Sequence, residues 1–222
     1  MKKNVVLLLC LFMTSMLLSC DNKFLDESED NMPVDSYESL FLKELKETST
    51  DRAIVENTSE NSLGYDDFLN LYVNADELFS KHYNELYKIV EDEDLDIEET
   101  ENALNGYLLN ISDLPDDKLT TLQVSVAAMI ASMTYFSESD ITADRGLRSW
   151  LKKKKSRIIN AAVSAACGAI IGAATGAFAG MSIPVIGYVP GAVVGAVVFG
   201  GYAAKEGYNS DSIYITSGKI SL

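Results

Sequence analysis

The chain has 222 residues, 47% of them apolar and 23% charged, with one His, three Cys and a formal net charge of −15. That length is too short for a large multidomain enzyme. The acidic surplus argues against a nucleic-acid binder, whose affinity for phosphate needs a basic surface. The average hides a split. Residues 21–144 carry 31 Asp/Glu against 7 Lys/Arg, a balance of −24, whereas residues 145–222 carry 9 Lys/Arg against 2 Asp/Glu, a balance of +7. Ten of the 14 glycines fall between Gly168 and Gly207.

In chain order, Lys2 and Lys3 form a basic start, followed by a mostly apolar run from Val5 to Leu18. This run is short for a membrane span and has the layout of a secretory signal peptide. It ends in Leu17-Leu18-Ser19-Cys20: aliphatic, then a small residue, then cysteine. The tetrad resembles the lipobox of bacterial lipoproteins with a type II signal peptide. The resemblance implies that residues 1–19 are removed and that Cys20 becomes the mature N-terminus, carrying diacylglyceryl and fatty-acyl groups such as palmitate. Two or three such chains, at about 0.8 kcal/mol per buried CH₂, hold a protein to membrane lipid without a spanning helix. With Cys10 in the signal and Cys20 acylated, Cys167 is the single free thiol of the mature chain, so no intramolecular disulfide forms. It lies among Ala and Gly, as a small packing residue would.

Residues 20–34 are polar and acidic, the composition of a solvated tether. Asp26-Glu27 or Glu29-Asp30 resembles the acidic export signal behind the lipid cysteine in surface lipoproteins of the Bacteroidota. Asp21-Asn22 matches instead the signal that retains enterobacterial lipoproteins in the inner membrane. The length of the acidic run favours the outer membrane or cell surface.

Residues 35–143 carry helical spacing and little strand signal, which predicts a small acidic helical bundle. Asp35-Ser36 can cap a helix with Leu40, Phe41 and Leu45 on one side. A second helix is predicted from about Asp66 to Val90, with Phe68, Leu71, Tyr72, Ala75, Leu78, Phe79, His82, Leu86 and Val90 on one broad face. A third runs from about Ile97 to Ile111, with Leu104 and Leu108. Pro115 and Asp116 open a fourth, Asp117 to Phe136, apolar nearly all round after Leu122. Such a helix is central in its bundle or buried against something else.

Chemistry-bearing patterns are scarce. His82 is the sole histidine and falls on an apolar face, the setting of a satisfied core residue rather than a base. The carboxylates from Glu91 to Glu101 could offer oxygens to Ca²⁺ but lack the order of an EF-hand loop, and read better as a solvated connector. There is no GxSxG, HExxH, P-loop or paired CxxC. The expectation is a non-enzyme without metal or cofactor.

Residues 144–208 comprise a basic flank and an uncharged run of 47 positions, Ile158 to Ala204. Within the run Gly168, Gly172, Gly176 and Gly180 are spaced by four, and so are Gly187, Gly191 and Gly195. On a helix this makes a bare stripe that admits another backbone. The segment resembles the glycine-zipper segments of envelope lipoproteins, bacteriocins and pore-formers, a resemblance specific for close packing and silent on activity. Pro184 and Pro190 predict a break between helices of about Ser149–Met181 and Gly191–Ala204, folded as a hairpin. Residues 209–222 form a tail with a weak hairpin pattern around Ser217-Gly218.

Arg145, Arg148, Trp150, Lys152, Lys153, Lys154, Lys155 and Arg157 sit just before the uncharged run. With Cys20 anchored outside the cytoplasm, an inner-membrane span here would run against the positive-inside bias. Contact with anionic lipid headgroups fits better, with pairing to the acidic half of the same chain as the alternative. The expected fold is therefore all-α, an acidic bundle followed by an apolar glycine-rich hairpin. The favoured function is a lipid-anchored envelope protein whose hairpin associates with or oligomerises in a membrane, as a pore-former or antagonist would; the alternative is a structural or binding lipoprotein whose zipper packs internally or pairs protomers.

Overall fold

The computed structural model describes residues 34–47, 63–92, 94–138, 147–179, 191–210 and 212–215. Cys20, the tether up to residue 33, Arg145, Gly180, Gly187 and the end of the tail lie outside them. Among the described residues the fold is all-α: seven helices and no strand.

Helix α1, Val34–Glu47, opens with Asp35 in its first turn and closes with Lys46 in its last, each sign favourable to the helix dipole. Tyr37, Phe41 and Leu45, four apart, form its buried face. The single helix expected over residues 66–90 is two. Helix α2, Tyr65–Phe68, runs into a wide π-turn, Leu69–Val73, closed by the Asn74 amide donating to the Leu69 carbonyl at 2.6 Å. The chain then breaks at Asp76, whose carboxylate accepts from the Phe79 amide at 2.9 Å and starts α3, Glu77–Glu91. The extra residue in the turn shifts the register. Leu71, expected inside, is 62% exposed, and Val73 is buried in its stead.

Helix α4, Ile97–Leu109, begins with a reciprocal capping box. The Glu99 amide donates to Asp96 and the Asp96 amide donates to Glu99, both at 2.9 Å. Part of the dense carboxylate run thus serves to start a helix. Helix α5, Asp116–Glu138, is buried on nearly every side from Leu122 to Met133. Its interior hydroxyls are satisfied within the helix: Ser125 donates to the Thr121 carbonyl and Ser132 to the Ala128 carbonyl, both at 2.7 Å. Helices α6, Leu147–Ala179, and α7, Gly191–Asn209, make the most extensive helix pair.

The sequence reading placed a domain boundary at 143/144, where the charge changes. The helices on either side of it share one core, and residues 32–222 form one compact unit. Helix α5 packs on α6, α1 lies across α5 and α7, and α3 reaches α6. What divides there is the charge.

One charged pair sits within these contacts. Glu44 of α1 lies over Gly201 of α7, where an added Cβ would come within 2.9 Å of its Cγ. Lys205 is one turn further along α7, and its Nζ is buried without a hydrogen-bond partner among the described residues. Burial raises the Glu44 carboxyl above 4.5, with Lys205 opposing and Glu47 adding to the rise. Burial likewise lowers the Lys205 ammonium, with Glu44 opposing. Because the folded state holds the Glu44 proton more tightly than the unfolded chain, this group adds stability as pH falls from neutral, in full below 4.5. Glu44→Gln is expected to flatten that rise, as read from urea midpoints measured at steps between pH 7 and 4.5.

Candidate functional site

The strongest structural signature is the crossing of α6 and α7. A Cβ at Gly168 would lie 2.5 Å from the Phe199 carbonyl oxygen and 2.9 Å from the Ala203 Cβ. At Gly172 it would collide with the Gly195 carbonyl and come within 2.8 Å of the Ala196 amide nitrogen. At Gly207 it would strike the Ser164 hydroxyl. These pairs run in opposite senses along the two helices, so the hairpin is antiparallel and each step advances about one turn.

The two helices are complementary position by position. Phe199 and Ala203 of α7 face Gly168 of α6, and Ser164 of α6 faces Gly207 of α7. Gly207 keeps the four-residue register of Gly195 with Phe199 and Ala203 between, and the sequence reading did not include it. Gly200 and Gly201 stand off that register because they receive α1. A Cβ on Gly200 would meet the Phe41 ring at 2.7 Å and the Ala165 carbonyl at 3.0 Å. The stripe at Gly168, Gly172 and Gly195 is thus taken up within the chain. Gly176 falls within α6 and Gly191 begins α7.

The basic flank is the first part of α6, which carries Arg148, Trp150, Lys152, Lys153, Lys154, Lys155 and Arg157. Lys155 reaches across to the turn after α3 and donates to the Asp92 carbonyl at 3.0 Å and the Leu95 carbonyl at 2.8 Å. Its ammonium therefore sits where the α3 dipole concentrates negative charge. Lys154 donates to the Ser137 carbonyl at the end of α5, at 3.4 Å. Both lysines meet the acidic half of the chain through backbone oxygens.

His82 is buried and engaged at both ring nitrogens. Nε2 lies 2.8 Å from the Asp113 carboxylate and Nδ1 2.9 Å from the Tyr107 hydroxyl. The carboxylate can only accept, so Nε2–H donates to it, and Nδ1 pairs with the Tyr107 hydroxyl. Partial desolvation acts to raise the Asp113 carboxyl, but the hydrogen bonds from His82 and its own amide, with the charges of His82 and Lys81, outweigh it and hold it below 3.8. The arrangement ties α3 to α4 and the following turn. Cys167 is fully buried with its Sγ 3.5 Å from the Tyr83 hydroxyl, beneath the aromatic group of Tyr65, Phe68 and Tyr83.

Comparison with protein-family models, curated proteins and solved structures finds no match to this chain.

Glycine replacement separates close packing from mere flexibility. Gly172→Ala is expected to cost at least the 1–3 kcal/mol typical of overpacking, because the obstacle is backbone. Gly106→Ala, with nothing within 4 Å of the new methyl, is expected to gain up to about 1 kcal/mol of helix propensity. Thermal and urea denaturation of the two variants would read the opposite signs.

Proposed function

We propose that this chain is a lipid-anchored cell-envelope protein, held at Cys20 to the outer membrane or cell surface, whose zipper hairpin is the internal core of a helical binding head. It works by contact, as a structural or binding lipoprotein, and not by catalysis. The observation that carries this reading is the meeting of Gly168 and Gly172 with the backbone of Phe199 and Gly195. A stripe used in this way is unavailable to a second protomer while the hairpin stays closed. The lipobox and the basic start of the chain support the anchor. Replacing Cys20 with Ser is expected to abolish incorporation of labelled palmitate and to release the protein from the membrane fraction.

A second reading rests on a separate observation. Within α6, Lys154–Thr175 is long and apolar enough to cross a bilayer, although most of it is buried inside the domain. In this reading the hairpin inserts into or oligomerises in a membrane after α1, α3 and α5 come away, acting as a pore-former or antagonist, with the basic flank on anionic headgroups.

A disulfide lock distinguishes the two. The Glu44 Cβ lies 3.7 Å from the Cβ position at Gly201, within the range a disulfide spans. Residues 21–222 carrying Glu44→Cys and Gly201→Cys would be added to dye-loaded anionic liposomes. The binding-head reading expects no leakage in either redox state. Leakage from the reduced protein that the oxidised protein lacks would establish the inserting hairpin instead.

A further inference from the structure

The end of α3 with its following turn, the first turn of α4, the last turns of α5 and α6 at Lys154–Ile159 meet around a cleft of about 470 Å³. That volume falls within the span of small-molecule sites, roughly 300–1,000 Å³. Val90, Met133 and Ile158 are buried at its base, and Ile97 flanks them half-buried. Among the described residues that line it, every apolar one is aliphatic. With no ring face to stack on, the wall suits a flexible alkyl chain rather than an aromatic ligand.

The charges around the mouth balance. Asp96 and Glu98 stand there with Lys154 and Lys155, two carboxylates to two ammoniums. Asp96 accepts from the Glu99 amide at 2.9 Å. Lys155 donates to the Asp92 and Leu95 carbonyls, Lys154 donates to the Ser137 carbonyl, and both lysines have further partners. An ion of either sign would leave water for a balanced rim whose ammoniums are already occupied, and burying an uncompensated charge is costly.

The two hydroxyls of the wall narrow the choice further. Thr100 Oγ1 lies 2.6 Å from the Asp96 carbonyl oxygen, and Ser137 Oγ lies 2.8 Å from the Thr134 carbonyl oxygen. A carbonyl cannot donate, so each hydroxyl spends its single hydrogen there and keeps only lone pairs. The neutral side-chain groups of the wall therefore accept and do not donate. A ligand O–H finds a partner among them, whereas an ether oxygen does not. Thr100 is buried and Ser137 half-buried, which leaves Ser137 the more open of the two. We propose that this cleft binds an uncharged long-chain alcohol, its chain against Met133 and Ile158 and its hydroxyl donating to Ser137. The site goes beyond the binding-head reading by giving the head a small-molecule ligand, and it does not rest on the anchor at Cys20.

Calorimetric titration of residues 21–222, which contain the whole compact unit from residue 32, tests this. The probes share one chain length: decanol, decyl methyl ether, decanoate and decylammonium, each below its solubility or micelle limit. The expected result is saturable binding of one decanol per chain. The ether is expected to bind roughly fivefold more weakly, the loss of one hydrogen bond, and both ions more weakly than the alcohol. Ser137→Ala should weaken decanol by a similar factor and leave the ether unchanged. Ile97→Trp, filling the cleft from its half-buried side, should abolish binding of both, with an unchanged thermal melt showing that the fold persists. The proposal is overturned if decanol does not saturate on the folded protein, or if the ether or either ion binds as tightly as the alcohol. Unchanged decanol binding by Ser137→Ala, or by folded Ile97→Trp, would also overturn it.

Discussion

The rest of the domain depends on the approach of two backbones, α6 and α7, at Gly168 and Gly172. A helix made of Ala and Gly has little side-chain surface to bury, and each Gly costs about 1 kcal/mol of propensity relative to Ala. What offsets this is proximity, since bare positions bring whole turns of main chain into van der Waals contact. The separation set there fixes everything laid on the hairpin. It turns Gly200 and Gly201 toward α1, gives Phe41 and Glu44 their seats, and presents α6 to α5 as a smooth wall. A methyl group added at Gly172 would therefore disturb contacts two helices away.

Around this core the polar groups are handled locally. The Ser hydroxyls of α5 return to their own helix, His82 is closed between a carboxylate and a phenol, and Asp76 and Asp96 cap the helices they precede. The two oppositely charged halves meet in part through the main chain. Lys154 and Lys155 bind main-chain carbonyls at the ends of α5 and α3, so the contact uses helix dipoles as much as side-chain charge. Such bonds require the lysine to stand at one particular place, which a diffuse acidic surface would not.

Much of this was legible in the sequence. Spacing of apolar residues places α1, α4 and α5, Pro184 and Pro190 separate the hairpin arms, and the uniform apolarity of α5 gives its central position. The break at Asn74–Asp76 was hidden because the apolar period runs through it from Phe68 to Val90. The signal was Asp76 itself, an N-cap residue followed by Glu77. The Asp96–Glu99 box was likewise readable, but it lay inside a charge run that drew attention to solvation. The partner of the glycine stripe was beyond reach for a different reason. Spacing by four specifies a close backbone and is equally satisfied by a second chain, a membrane helix or α7. What distinguishes them is the matching of Ser164 to Gly207 and of Gly168 to Phe199, a pairwise register that emerges only when both helices are in place.

The seat of α1 has a consequence for how the chain assembles. Tyr37, Phe41 and Leu45 are among the first core residues to be synthesised, yet α1 packs on α5 and α7. Phe41 rests on Gly200, 159 positions further along the chain. Contacts of such long sequence separation delay folding, because the loop-closure entropy comes due before the contact rewards it. The growing chain therefore has no complete core to fall into until α7 has been made. Until then α1 is an amphipathic helix without its groove.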